Sequence, residues 1–121
     1  MEKQPLILLV DDNEDNRVIF TALLTHGGFA VLEAVNGRDG VEQAEHHRPD
    51  LVLLDLTMPV MDGWEAVRRI RETAGIAALP VVALTAHDVS EDAWRQAGFT
   101  ALLCKPCNPR QLLDTVRRHL P

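Results

Sequence analysis

No apolar run in the sequence approaches the roughly 20 residues that a membrane-spanning helix requires, and the longest are about strand length. The opening residues, Met1 to Pro5 ahead of Leu6–Val10, are too short and too acidic for a secretion signal, so a cytoplasmic location is expected. Low-complexity segments, internal repeats and Pro/Gly-rich linkers are also lacking, and the 121 residues read as one domain, 1–121. Basic residues are in the minority, with 12 Lys and Arg against 18 Asp and Glu and a net charge of −6. Arg68-Arg69 and Arg117-Arg118 are scattered pairs on helix faces, not the cluster that a duplex binder needs to displace counterions. Direct nucleic-acid binding is therefore not expected. Cysteine is limited to Cys104 and Cys107. A C-x-x-C string can be redox-active or half a zinc site. A zinc site would need two further ligands, and the adjacent His46 and His47 point about 100° apart on a helix. A redox pair would follow the first strand of its fold, whereas this one lies near the end of the chain. A structural or incidental role is expected for both thiols.

Against these absences stand five short apolar runs: Leu6–Val10, Phe29–Leu32, Leu51–Leu54, Val81–Leu84 and Ala101–Cys104. Most are continuous, as in strands covered on both faces. Between them the period is helical. Val18, Ala22 and Leu23 suit a first helix stopping at Gly27-Gly28. Gly37, Gly40, Val41 and Ala44 mark a second, before Pro49. Val67, Ile70 and Ala74 mark a third, ending near Gly75. Asp88-x-x-Glu91 reads as a capping box opening a fourth through Val89, Ala93 and Ala97. Pro109, Leu112, Leu113, Val116 and Leu120 form one stripe of a fifth, which Asn108 caps and Pro109 starts. Fivefold alternation of strand and helix builds a parallel α/β sheet with right-handed crossovers and helices on both faces. Ligands of such sheets sit at the carboxyl ends of the strands.

The strand ends carry the chemistry. Asp11-Asp12 follow the first strand, Asp55 the third, Thr85 the fourth and Lys105-Pro106 the fifth. Three carboxylates within a few ångströms repel one another unless a cation intervenes. Oxygen ligands with room for water and a phosphate oxygen suit magnesium. Glu14 and Asp15 are accounted for by the dipole of the first helix, whereas Asp12 follows directly on a buried strand. A carboxylate such as Asp55 can itself be phosphorylated to an acyl phosphate. Thr85 could then donate to one phosphoryl oxygen and Lys105 pair with another.

Asp11-Asp12, Asp55 with Met58-Pro-x-Met-Asp-Gly63, Leu84-Thr-Ala86 and Lys105-Pro106 together resemble the receiver domains of two-component response regulators, from about Leu6 to Leu120. The resemblance implies a single-domain, doubly wound five-stranded sheet of order 2-1-3-4-5 flanked by five helices, the flavodoxin-like or CheY-like arrangement. It also implies a phosphoacceptor switch, not an enzyme in the ordinary sense. Asp55 would accept the phosphoryl group. Mg2+ would be held by Asp12, Asp55 and the backbone carbonyl of Thr57, with Asp11 contributing through water. Thr85 and Lys105 would bind the phosphoryl group, Thr57 and His87 would tune its lifetime, and the Lys105–Pro106 bond would be cis. The donor would be a phosphohistidine on a sensor histidine kinase or histidine phosphotransfer domain. The signal would leave through the fourth helix, fifth strand and fifth helix to a downstream protein or a phosphorylation-dependent dimer. Two departures concern that output. Leu102 stands where receivers commonly carry Tyr or Phe, and the stretch from Thr85 to Lys105 is about two residues short. A haloacid-dehalogenase-type phosphatase would need a second acid at position 57, which is Thr57, and a cap domain that this length cannot hold. A flavodoxin-like carrier would need a first loop that cradles phosphate, and Asp11-Asp12-Asn13-Glu14 would repel one.

Overall fold

The computed structural model describes residues 4–121. Strands and helices alternate along them: β1 (Leu6–Val10), α1 (Glu14–His26), β2 (Ala30–Ala34), α2 (Gly37–His47), β3 (Leu51–Asp55), α3 (Gly63–Glu72), β4 (Val81–Thr85), α4 (Glu91–Ala97), β5 (Ala101–Cys104) and α5 (Pro109–His119). All neighbouring strands pair in parallel, in the order β2-β1-β3-β4-β5. The continuous apolar runs are explained by two cores, one on each face of the sheet. Leu8, Val10, Val52, Leu54, Val81 and Ala83 point to one face, where Val67 and Ile70 of α3 meet them. Ile7, Leu9, Leu51, Leu53, Val82 and Leu84 point to the other, where Phe20 and Leu24 of α1 and Leu112 and Val116 of α5 cover them. At roughly 1.5–3 kcal/mol for each fully buried large apolar side chain, these cores dominate the favourable side of folding.

Several boundaries and faces differ from the sequence-based expectation. β2 runs from Ala30 to Ala34, because the Phe29 amide is still bound to the Leu24 carbonyl of α1 and pairing with β1 starts at Ala30. α1 buries Phe20 and Leu24, and the expected stripe residues Val18 and Ala22 are exposed. α3 ends at Glu72, with Thr73 as its C-cap, so Ala74 lies outside it. α4 starts later than the proposed box, because Ser90 takes the cap and accepts the amide of Ala93. In α5, Asn108 and Gln111 form a full capping box, but Pro109 is exposed and contributes nothing to the buried stripe.

Two glycines let backbone segments close around the carboxyl edge of the sheet. A Cβ on Gly63 would collide with the Asp55 carbonyl, so only glycine allows α3 to begin directly against the end of β3. A Cβ on Gly37 would collide with the Met61 carbonyl, which accepts the Gly37 amide at 3.0 Å. The loop after β3 is thereby held against the start of α2. Within that loop Val60 adopts φ 72°, a left-handed conformation that costs a non-glycine residue about 1–2 kcal/mol.

Candidate functional site: an acidic pocket at the carboxyl edge

β1, β3, β4 and β5 end on the same edge of the sheet, so the polar residues that close them converge. One carboxylate oxygen from each of Asp11, Asp12 and Asp55 lies within 4.8 Å of the others. Asp11 is fully buried, Asp55 almost so, and Asp12 is exposed to water. Asp11 has a partner for each of its polar groups. Its amide donates to the Ala34 carbonyl (3.1 Å), and Arg17 donates to its carbonyl (2.7 Å). The carboxylate accepts the Asn13 amide (3.0 Å) and the Lys105 ammonium (3.2 Å). Asp55 accepts the Thr57 amide at 3.1 Å and the same ammonium at 2.9 Å. Lys105 thus bridges the two buried carboxylates.

The electrostatics follow from this geometry. Burial pushes the Asp55 carboxyl above the ordinary carboxylate range, against the opposing pull of the Lys105 and Thr57 donors. Burial disfavours the Lys105 ammonium, but bonding and attraction to Asp55 and Asp11 more than offset it and raise its pKa. Thr85 is buried at the end of β4, and its hydroxyl accepts the His87 amide at 3.0 Å. Thr57 and His87 are exposed at the rim. The Lys105–Pro106 peptide is cis, and the Lys105 amide donates to the Thr85 carbonyl at 2.6 Å. Leu102 is half-buried and packs on the α3–α4 core. Cys104 and Cys107 carry free thiols, the first exposed and the second half-buried, with burial raising the pKa of the Cys107 thiol.

The donor set fits a hard divalent cation: three carboxylates, no sulfur or imidazole, and one ligand open to water. Sequence reasoning missed Arg17, whose partners lie in other elements. It also missed the exposure of Val18 and Ile19 beside the pocket.

The sequence pattern of the response regulator receiver domain family matches residues 7–117. The chain belongs to that family. Receiver domains are signalling phosphoacceptors served by histidine kinases, and this receiver has relatives along nearly its whole length. It is 38% identical over 112 residues to Protein PilH of Pseudomonas aeruginosa, covering 91% of the chain and 93% of that protein. Its fold superimposes on the chemotaxis protein CheY4 of Vibrio cholerae with a TM-score of 0.92, at 32% identity, covering 98% of this chain and 100% of the other. The receiver domain of a sensor histidine kinase from Pseudomonas aeruginosa gives a TM-score of 0.89 at 34% identity, covering 97% and 98%. That structure holds a magnesium ion coordinated in its active-site cleft.

Proposed function

We propose that residues 1–121 act as a magnesium-dependent phosphorylation switch of a cytoplasmic phosphorelay, with Asp55 as the phosphoacceptor. The observation that carries this reading is the convergence of Asp11, Asp12, Asp55 and Lys105 on one edge of the sheet, with Asp55 nearly buried and Asp12 open to water. In the transfer, the P–N bond of a phosphohistidine breaks as an Asp55 carboxylate oxygen forms a bond to phosphorus. The product is an acyl phosphate, and the leaving imidazole takes up a proton. Magnesium, held by Asp12, Asp55 and the Thr57 carbonyl with Asp11 acting through water, would supply charge neutralisation for the transferring group. No hydrogen bond from the described residues occupies that carbonyl. Lys105 would pair with one phosphoryl oxygen, and Thr85 would turn from His87 to donate to another. The rim side chains Thr57 and His87 would control water access, which dephosphorylation half-life reads directly.

The donor must seat an imidazole against this edge, and the surface offers a place for it. Among the described residues, the exposed large apolar side chains are Val18 and Ile19 on α1, Val35 after β2 and Val60 after β3. All lie toward the carboxyl edge, and Ile19, Phe20 and Leu23 continue into a groove of 380 Å3 that reaches Lys105 and Cys107. A histidine kinase or histidine phosphotransfer domain presenting an apolar helix face would cover them. Ile19→Glu should therefore slow phosphorylation by a phosphohistidine protein about tenfold, near 1.4 kcal/mol, without changing the rate with acetyl phosphate. Equal losses with both donors would show that the substitution damages the pocket instead.

Output would leave through α4, β5 and α5. α4 has no fully buried residue and is held on its C-terminal side, where Arg71 donates to the Gly98 carbonyl at 2.9 Å. Its N-terminal side follows His87, which is bound to Thr85, so a turning Thr85 pulls there first. With Leu102 in place of a larger ring, the motion passes by backbone. Beryllofluoride should shift amide signals most across His87 to Trp94, with a smaller response at Leu102. A titration confined to Asp11, Asp12 and Asp55 would defeat the proposal, as well as the downstream docking or dimer it supports.

A further inference from the structure

We infer that Arg17 is a positioning residue for the magnesium site, acting through the peptide that joins Asp11 to Asp12. The inference rests on the magnesium reading above. Arg17 stands in α1, and its side chain is only 14% exposed. Its Nη1 donates to the Asp11 carbonyl at 2.7 Å, and its Nε pairs with Glu33 at 3.2 Å. The guanidinium therefore spans from α1 to β2 and fixes one peptide plane at the end of β1. That peptide sets the direction in which Asp12 leaves the strand.

Asp12 depends on this because its side chain has no bond of its own among the described residues, and Arg17 is the side chain that holds the peptide carbonyl preceding it. Asp11 is locked by Ala34, Asn13 and Lys105 in addition to Arg17. The Asp12 carboxylate makes no hydrogen bond among the described residues, so its aim is inherited from the backbone. An Asp11–Asp12 peptide released from Arg17 can rotate its carbonyl toward water and carry Asp12 away from the other two carboxylates. Groups that orient metal ligands from behind typically change affinity by about 10–100-fold when removed.

Two other roles for Arg17 predict different results. As a charge, it repels a dication, so its removal would tighten magnesium binding, and Arg17→Lys would change nothing. As a structural tie between α1 and β2, it would affect stability and leave metal affinity alone. A positioning role requires the planar fork itself, since lysine offers a point charge and cannot hold a carbonyl and a carboxylate in fixed directions. Both Arg17→Lys and Arg17→Met should then weaken magnesium by about tenfold or more.

Magnesium titration of the phosphate-free chain by calorimetry, with urea midpoints taken in chelator, provides the test. Asp12→Ala is the first control, since unchanged binding in that variant would refute the magnesium reading and this inference with it. Arg71→Lys is the second. That arginine bonds the Gly98, Ala77 and Leu79 carbonyls at the opposite end of the sheet, so its loss should lower stability and spare magnesium. With both controls behaving, wild-type affinity in Arg17→Lys or tighter binding in Arg17→Met overturns the assignment. Weakening in both variants, beyond what their urea midpoints share with Arg71→Lys, supports it.

Discussion

Asp55→Asn is expected to abolish the addition of a phosphoryl group from acetyl phosphate and magnesium, and chelation of the metal is expected to do the same to the wild-type chain. The amide keeps the shape of the side chain, but Thr57 and Lys105 donate to different oxygens of Asp55, so its single oxygen can accept from one of them only, and that oxygen is no longer a carboxylate nucleophile. Without the metal, the charge of the incoming group meets Asp11, Asp12 and Asp55, and among the described residues Lys105 is the one cation bonded to their carboxylates. The fold should survive the substitution. Burial raises the Asp55 pKa, so the folded state holds that proton more tightly than the unfolded state does. A group shifted in this direction stabilises the fold at low pH, and its contribution falls as pH rises from the ordinary carboxylate range through the raised value. Metal-free wild type should lose stability across that window, and Asp55→Asn should flatten the loss and keep an equal or higher urea midpoint at neutral pH. Intact mass and urea curves at several pH values read both halves. Phosphoryl addition persisting in Asp55→Asn would remove Asp55 from the centre of the mechanism.

How far the sequence reveals this site depends on distance along the chain. Asp11, Asp12, Asp55, Thr85 and Lys105 were legible because each directly follows an apolar run, and a parallel sheet brings the ends of its strands to one edge. The strand order itself came from family resemblance, since periodicity does not distinguish one arrangement of five parallel strands from another. Local signals worked where a single residue type had a single local use, as with Asn108 capping α5. They failed where two candidates compete. Asp88 and Ser90 can both cap α4, and the choice falls on Ser90. On α1, Val18 and Ala22 share a helical period with the true core pair Phe20 and Leu24, and only the packing against the sheet selects a face. The partners of Arg17 and Lys105 are harder still. Lys105 lies 94 residues from Asp11 and 50 from Asp55, so the bridge between buried carboxylates exists only after the sheet has formed.

That bridge makes Lys105 the residue whose loss should change the metal-free protein most. Asp11 is fully buried and Asp55 nearly so, and both carboxylates share one ammonium. Lys105→Met keeps most of the aliphatic stem and removes the charge, leaving two buried carboxylates facing each other. Breaking a fully buried ion pair costs about 3–5 kcal/mol. Here Lys105 is 18% exposed and water reaches Asp12, so a loss of about 2 kcal/mol in chelator is the expected size. The pH dependence should change with it. The raised Lys105 pKa gives stability that is present below the ordinary lysine value and is lost as pH climbs through the raised one, so the variant should lack that alkaline loss. Magnesium binding should move the other way. The ammonium at 2.9 and 3.2 Å offsets one of the negative charges of Asp55 and Asp11, and its removal leaves the pocket more negative. The variant should bind magnesium about tenfold more tightly, a difference near 1.4 kcal/mol. Saturation at 100 times the dissociation constant adds about 2.7 kcal/mol, enough to restore the stability lost in chelator. Phosphorylation should nevertheless slow, because one phosphoryl oxygen loses its cationic partner. A chelator urea midpoint equal to that of wild type, or magnesium binding that weakens in Lys105→Met, would show that Lys105 is not the internal counter-ion of this pocket.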